Sequence, residues 1–276
     1  MDWKAAPSDK SKMWINKSLE LAVQFLCNWR CISCDALSQF PTISFIRKGT
    51  MTVAQIQHFI DEMYKHNAYI GRVRIIGGEP TLFPHLEQVV GMMYESLVLH
   101  GFVGQLEMVT NGSNPDKCRA VRQWVKVRVS DEGDKQKHHV SNFVHTPLSL
   151  GYAGSVCSSP FHCGFQLCGY GYFPCSSGSG IARLRDDMMR WQRLTLPTCE
   201  KPCNAVRETW PDLVDLCGHC YHALKPEHKI KSGTGMQPGQ HALNTPSKDV
   251  WGHLAPWIMG KQPTWPIYGQ PEPVPA

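Results

Sequence analysis

Three cysteines, at positions 27, 31 and 34, lie within the eight residues CNWRCISC, directly behind the apolar run Leu19 to Leu26. A structural zinc site closes on four ligands, usually from two well-separated pairs. Three thiolates without a nearby fourth fit a [4Fe–4S] cluster better, because such a cluster leaves one iron open to another ligand. CxxxCxxC spacing has many chance matches, so its interpretation depends on the surrounding elements.

The first half of the chain has the pattern of strands alternating with helices. The run Leu19 to Leu26 has strand length and ends at the cysteines. Thr52 is predicted to cap a helix, in which apolar residues recur at three- and four-residue spacing. A second strand, Val73 to Ile76, stops at Gly77-Gly78, and a second helix is predicted to begin near Pro84.

Two further strands follow. The first, at 106–109, is closed by Thr110-Asn111-Gly112, and the second is an alternating segment at 125–129. Strands separated by helices predict parallel pairing, so we expect an α/β fold. The chain is too short before its second cysteine group for six units of roughly 30 residues, so an incomplete barrel of four to six strands is predicted. Polar or cysteine positions follow successive strands, where such folds place their sites: Cys27, Gly77, Asn111 and Ser130.

The segment Gly77-Gly78-Glu79-Pro80 after the second strand adds a second motif. With the cysteine motif before it and Thr110-Asn111-Gly112 after it, this order resembles the radical S-adenosylmethionine (SAM) superfamily, over roughly residues 18 to 135. The resemblance implies that Cys27, Cys31 and Cys34 hold a [4Fe–4S] cluster. It also implies that the cluster's open iron chelates SAM, and that an electron from a donor such as flavodoxin or ferredoxin cleaves SAM to a 5′-deoxyadenosyl radical. That radical abstracts hydrogen from a peptide or small-molecule substrate.

The same resemblance implies cofactor-binding residues. The GGEP segment binds the amino group of SAM, and Asn111 and Ser130 occupy positions that face the cofactor, although each is also an ordinary turn residue. The sequence departs from the family at Ser33, where an aromatic residue usually borders the adenine. The predicted cofactor-binding residues are Gly77, Gly78, Glu79, Pro80, Asn111 and Ser130.

The second half of the chain carries most of the twelve cysteines and has no sustained apolar period, so we expect a loop-rich module held by metal. Its Gly-Tyr-Phe-Pro-Cys end resembles the SPASM and twitch extensions of radical SAM enzymes, which implies one or two auxiliary [4Fe–4S] clusters. The order of the later pairs differs from SPASM, and a zinc ribbon on Cys199, Cys203, Cys217 and Cys220 is the alternative. Cys118 is predicted to be a free thiol. The predicted ligands are Cys157, Cys163, Cys168, Cys175, Cys199, Cys203, Cys217 and Cys220.

The net charge and the distribution of apolar residues limit the classes of protein to which the chain can belong. The formal net charge of +5 counts cysteine as neutral, so thiolate-bound metal would lower it and nucleic-acid binding is not predicted. The sequence shows neither an apolar signal core nor a run of about 18 apolar residues, which predicts a cytoplasmic protein without a membrane span. The cytoplasm is reducing, so its cysteines are metal ligands more often than they form disulfides. The predicted division is an N-terminal extension (1–17), a partial barrel (18–156), a cysteine-rich module (157–224) and a Gly/Pro-rich tail (225–276). A zinc-stabilised binding module without catalysis is the alternative function.

Overall fold

The structure is a computed structural model, and it describes residues 3–28, 38, 49–130, 159–162, 164–184, 188–217 and 268–269. Its strands are β1 (Met13–Gln24), β2 (Ala68–Gly77), β3 (Val103–Thr110), β4 (Lys126–Val129), β5 (Phe165–Cys168) and β6 (Gly171–Phe173). Its α-helices are α1 (Val53–Lys65), α2 (Leu86–Met93), α3 (Pro115–Val121), α4 (Ser159–His162), α5 (Ser176–Leu184), α6 (Met188–Trp191), α7 (Ala205–Thr209) and α8 (Leu213–Cys217). A 3-10 turn (Pro80–Leu82) precedes α2, and a π-helical turn (Tyr94–Val98) extends it.

The strands form one six-stranded sheet in the order β4-β3-β2-β1-β5-β6. All neighbours pair in parallel except β5 and β6, which form an antiparallel hairpin. The predicted α/β class with parallel pairing is confirmed. Within the described residues the sheet keeps two edges, β4 and β6, and does not close. None of the helices in this part of the chain is long and apolar enough to span a membrane.

Strand β1 forms the centre of the sheet and begins at Met13, well before the predicted start at Leu19. Successive side chains of a strand point to opposite faces. Leu19, Leu21 and Val23 are buried in the apolar core with the helices. On the other face, Ser18 and Glu20 are buried polar residues, and they are followed by the buried Ala22. The sheet therefore has one apolar face and one polar face.

The polar face carries a buried chain of charges across three strands. Arg74 on β2 bonds Glu20 on β1 through Nη1 at 3.3 Å and Glu107 on β3 through Nε at 3.2 Å. Arg72 lies 3.5 Å from the other oxygen of Glu107. Burial raises the pKa of Glu20, and the neighbouring Arg74 opposes that rise. Beside Glu20 in the β5 register lies Gln166, which is 3% exposed and whose Oε1 has no hydrogen-bond partner among the described residues.

Helix α1 forms as its sequence predicts. Thr52 accepts a hydrogen bond from the backbone N–H of Gln55, and the Gln55 side chain bonds the Thr52 N–H in return, which completes a capping box. Its apolar stripe, Ile56, Phe59, Ile60 and Met63, is buried. The Met51 N–H, just before the cap, donates to the Val23 carbonyl at 2.9 Å, so α1 begins beside the carboxyl end of the central strand β1.

The cysteine-rich half differs from the loop-rich module that we predicted. Strand β5 pairs with the central strand β1, and Phe165, Tyr172 and Trp210 belong to the same apolar core as the first half. A short hairpin with alternating Gly and aromatic residues has no long apolar period, which is why the sequence pattern missed it. Within the described residues, burial of aromatic side chains contributes to holding this segment against the sheet.

A buried carboxylate ties α1 to the distant end of the chain. Glu62 accepts hydrogen bonds from the hydroxyl of Tyr172 at 2.8 Å, from the hydroxyl of Tyr268, and from the Leu196 N–H at 2.7 Å. Gln55 donates to the carbonyls of Tyr268 and Gly169. Tyr268, which belongs to the predicted Gly/Pro-rich tail, is fully buried.

We predict that Tyr268→Phe lowers the free energy of unfolding by about 1–3 kcal/mol, because it removes a buried hydrogen bond to a charged group. Tyr64→Phe, on the same helix α1 as Glu62, is the control, since Tyr64 is exposed and its hydroxyl donates to the Ser96 carbonyl. Urea unfolding of both variants measures the difference. Equal stabilities of the two variants would contradict a structural role for Tyr268.

The pH dependence supplies a second measurement of the same contact. Burial raises the pKa of both Tyr172 and Tyr268 above the usual value of 10.0. Above about pH 10 the unfolded chain therefore loses phenolic protons that the folded chain retains, so stability falls as pH rises. We expect a shallower fall for Tyr268→Phe, because one of the two phenols is absent.

Candidate functional site

The predicted site residues converge at one edge of the sheet. Cys27 follows β1, Glu79 follows β2, Asn111 follows β3 and Ser130 follows β4, and these four strands are parallel neighbours. The carboxyl ends of parallel strands lie side by side, so the loops after them meet. We call this edge, with Cys27, Gly77 to Pro80, Asn111 and Ser130, the carboxyl-edge site.

The Glu79 carboxylate joins the loops after β2 and β3. Its Oε1 accepts hydrogen bonds from the Thr81 N–H at 3.0 Å, the Thr81 hydroxyl at 2.6 Å and the Thr110 hydroxyl at 2.5 Å. Its Oε2 accepts from the Asn111 N–H at 2.7 Å. Glu79 is 1% exposed. All four donors belong to the protein, so within the described residues this carboxylate acts by positioning the two loops.

The two glycines allow the chain after β2 to approach β1 closely. Gly77 has a φ of 144°, and a Cβ there would lie 2.0 Å from the Gln24 carbonyl oxygen. A Cβ on Gly78 would lie 2.0 Å from the Leu26 carbonyl oxygen. Any other residue at either position would collide with backbone, which cannot move aside as a flexible side chain can. The glycines are thus required for the approach of the GGEP segment to the chain that leads into Cys27.

Backbone hydrogen bonds extend the β1–β2 contact past the ends of both strands. The Gly78 N–H donates to the Gln24 carbonyl and the Glu79 N–H to the Leu26 carbonyl, each at 2.8 Å. The buried Gln24 side chain donates to the Glu79 carbonyl at 2.7 Å. Cys27 follows directly, so its backbone position is set by contacts to the GGEP segment.

Asn111 lies beside Cys27. Its side-chain Nδ2 is 3.8 Å from the Cys27 Sγ and 2.9 Å from the Asn28 Oδ1. Its Oδ1 accepts the Ser113 N–H at 2.9 Å, which orients the amide with both N–H groups toward the cysteine loop. The half-buried sulfur of Cys27 therefore faces a hydrogen-bond donor.

The remaining predicted positions border the same edge. Pro80 is buried at the start of the 3-10 turn. Ser130 is half-buried, and its N–H bonds the Thr110 carbonyl at 2.8 Å, so it is anchored to the residue that also bonds Glu79. Cys31, Ser33 and Cys34 lie outside the described residues.

The described part of the site fits a thiolate-bound cluster. A [4Fe–4S] cluster is held by cysteine thiolates, and hydrogen bonds to their sulfurs and shielding from water set its potential. Cys27 offers both features, since it is half-buried and faces the Asn111 amide. The groups around Glu79 are not metal ligands, because all of them are N–H or O–H donors that already bond its carboxylate.

The later cysteines are distributed over the sheet. Cys199 and Cys203 lie beside Trp14 and Asn16 at the amino end of β1, roughly 30 Å along the strand from Gln24. Burial raises the pKa of both thiols, although backbone N–H groups near Cys199 oppose this rise. Within the described residues, no three His, Cys, Asp or Glu side chains form a group that could hold a metal ion.

Three other cysteines are buried, and Cys175 and Leu216, the residue before Cys217, both lie next to Gly178. Cys168 ends β5, and Cys175 accepts the Gly178 N–H at its sulfur, at 3.2 Å, where α5 begins. Cys217 ends α8. Cys118 is buried within α3 as a free thiol, and burial raises the pKa of this thiol. The predicted ligands Cys157, Cys163 and Cys220 lie outside the described residues.

Sequence reasoning missed the residues that organise the site. The hydroxyls of Thr81 and Thr110 bond Glu79, and Gln24 and Asn28 bond the adjoining loops. Gln24 carried a usable signal, since it is a polar residue inside an apolar run. The threonine contacts are between distant parts of the chain, and no local pattern marks them.

Comparison with known proteins gives distant structural similarity. Crystal structures of BtrN, one in an open conformation and one in complex with AdoMet and 2-DOIA, match at TM-scores of 0.45 and 0.47 with 13% identity, over 81% and 84% of this chain and 93% and 97% of those chains. Streptococcus suis SuiB bound to S-adenosylmethionine matches at a TM-score of 0.29 with 16% identity, over 42% of this chain and 25% of that chain. No family model and no curated protein sequence matches the chain. Similarity at this level assigns no function, so the function is inferred from the site.

We predict that Glu79→Gln lowers the free energy of unfolding by about 2–3 kcal/mol, because an amide nitrogen would face N–H or O–H donors in a buried place. Glu87→Gln is the matched control, since Glu87 is exposed on α2. Thermal and urea unfolding of the metal-free variants measure the effect. If Glu79→Gln and Glu87→Gln lower the free energy of unfolding equally, Glu79 does not join the two loops as described.

Proposed function

We propose that this chain is a radical SAM enzyme. One observation carries the proposal: the carboxyl edge of four parallel strands brings the first cysteine of CxxxCxxC against the GGEP segment and Asn111. A zinc-binding module would explain the cysteines, but it would not require a close contact between the cysteine loop and a buried Glu-centred turn. The motifs and their arrangement at one edge support the enzyme.

In this proposal Cys27, Cys31 and Cys34 would hold a [4Fe–4S] cluster, which would supply the electron needed to cleave SAM to a 5′-deoxyadenosyl radical. The chain's own residues have separate roles. Gly77 and Gly78 bring the turn close to the cysteine loop, and Glu79 fixes its shape. The backbone of this turn is the group that we assign to the SAM ammonium, in agreement with the family resemblance.

Pro80, Asn111 and Ser130 would complete the cofactor side of the site. Pro80 fixes the backbone that follows Glu79, and Asn111 and Ser130 flank it on the next two strands. Ser33 stands where the family usually has an aromatic residue, so the adenine would need another neighbour. An electron donor such as flavodoxin or ferredoxin completes the proposed reaction.

The proposed substrate is a peptide or a small molecule, the two classes that the family resemblance implies. Arg74 on the polar face lies three residues before Gly77, so the charge chain begins about 10 Å below the GGEP turn. These charges are covered by the protein itself, since the Trp3 ring lies 3.7 Å from the Arg72 guanidinium carbon, and Glu20 and Gln166 are 7% and 3% exposed. We therefore assign the charge chain to the support of the site and not to contact with the substrate.

For the cysteine-rich half we propose one or two auxiliary [4Fe–4S] clusters among Cys157 to Cys220. Cys199 and Cys203 have the features of a ligand pair, since both thiols lie close to backbone N–H groups at the same end of β1. Because this segment also packs into the core, metal is not its only source of stability. A zinc site on Cys199, Cys203, Cys217 and Cys220 stays the alternative.

We predict that anaerobically reconstituted protein, reduced with dithionite, converts SAM to 5′-deoxyadenosine, and that changing Cys27, Cys31 and Cys34 together to Ala abolishes this product. The reason is that a cluster without its thiolates is not retained. Chromatography of the quenched reaction measures the product. Cys118→Ala is the matched control, because it removes a buried thiol on α3 that lies outside the motif. Product formation by the triple variant at the wild-type rate would exclude the proposed function.

We predict that the same triple variant retains iron after reconstitution. About four irons per chain would indicate one auxiliary cluster and about eight would indicate two, since each such cluster contains four irons. Iron and zinc are measured on the same sample by elemental analysis. Zinc alone in the triple variant would contradict auxiliary clusters and favour the zinc site, while leaving the radical SAM proposal intact.

A further inference from the structure

The Asn111 side chain is held in one orientation by three neighbours. Its Oδ1 accepts the Ser113 N–H at 2.9 Å, and a backbone N–H can only donate, so the oxygen must face Ser113. Its Nδ2 must then face the cysteine loop. One N–H lies toward the Asn28 Oδ1 at 2.9 Å, which leaves the second N–H for the Cys27 Sγ at 3.8 Å.

The backbone of Asn111 is fixed independently of its side chain. Its N–H donates to the Glu79 Oε2 at 2.7 Å, and Thr110 before it donates its hydroxyl to Oε1. Substitutions of the Asn111 side chain preserve both contacts. The side-chain amide, which lies beside the first cysteine of the motif, can therefore be substituted without moving the backbone that carries it.

We propose that Asn111 donates an N–H···S hydrogen bond to the cluster thiolate of Cys27 and thereby raises the reduction potential of the cluster. This inference rests on the proposed function and adds to it a role in electron uptake. Reduction adds one electron, taken from the external donor, and so increases the negative charge on the iron and its sulfur ligands. A hydrogen bond to a sulfur stabilises the reduced form more than the oxidised form. In this role Asn111 is a positioning and tuning residue.

The geometry also accounts for the choice of residue at position 111. Aspartate has the same shape and could accept the Ser113 N–H, but its second oxygen would face the sulfur as an acceptor. Alanine would leave the sulfur without this donor. Of these three residues, asparagine alone satisfies Ser113, Asn28 and Cys27 together.

The test is a redox titration of reconstituted wild-type protein and of Asn111→Ala, Asn111→Asp and Asn114→Ala. Asn114 is the matched control, because its side chain caps α3 in the same loop and bonds the Lys117 N–H. The reduced cluster is quantified by electron paramagnetic resonance at fixed potentials. Only the signal that disappears when Cys27, Cys31 and Cys34 are changed to Ala is assigned to this site.

We expect the ratio of reduced to oxidised cluster at a fixed potential to fall about tenfold in Asn111→Ala, equivalent to 59 mV for one electron. Asn111→Asp should fall further, since its carboxylate repels the added electron. A packing role predicts the opposite order, because Asp has the shape of Asn and Ala does not. Asn114→Ala should match the wild type.

Ratios within threefold of the wild type in both Asn111 variants, at equal iron content, would overturn the inference. So would a higher potential in Asn111→Asp than in Asn111→Ala. The absence of a cluster signal from the motif in the wild type would instead refute the proposed function, so the two failures are distinguishable. Should Asn111→Ala misfold, Asn111→Asp still provides the measurement, since it preserves the shape and the Ser113 contact.

Discussion

The close contact between the chain leaving β1 and the chain leaving β2 is the constraint on which the site depends. Two consecutive glycines let the GGEP segment pass within hydrogen-bonding distance of Gln24 and Leu26, where a side chain would collide with backbone oxygen. The approach continues strand pairing beyond the strands themselves. It brings Cys27 to a defined place at the edge, although the loop that carries it belongs to no strand. The glycines therefore act on the cysteine loop through the backbone and not through any ligand.

Glu79 converts that contact into a three-loop arrangement. Its two oxygens take donors from the turn after β2 and from the turn after β3, so neither turn can shift without leaving a buried donor unpaired. The hydrogen bond from the Asn111 N–H to this carboxylate fixes the position of Asn111. The same bonds therefore stabilise this edge of the fold and fix the arrangement of the candidate site.

The sequence predicted the first half well and the second half poorly, for physical reasons. Helix α1 and strands β1 to β4 follow local rules, since capping residues, apolar periods and glycine stops are visible in the chain. Strand β5 was missed because four residues beside cysteines and glycines show no period, and its pairing with β1 is a long-range event. The meeting of Cys27, Glu79 and Asn111 was predicted from the parallel strands. The internal role of the Glu79 carboxylate was not, because the motif suggests a ligand contact and only the fold shows the threonine donors.

The charge chain on the polar face adds less to stability than its three ion pairs suggest. Burying Arg72, Arg74, Glu20 and Glu107 costs desolvation energy that mutual pairing offsets only in part, and an apolar layer of the same volume would often be as stable. The buried charges are therefore weak evidence that this face evolved to stabilise the fold. This face runs below the carboxyl-edge site, and beside it the Gln166 Oε1 has no hydrogen-bond partner among the described residues. The Trp3 ring lies over the Arg72 guanidinium, 3.7 Å from its carbon, so the paired charges also fix the segment before β1 against the sheet that positions the carboxyl-edge site.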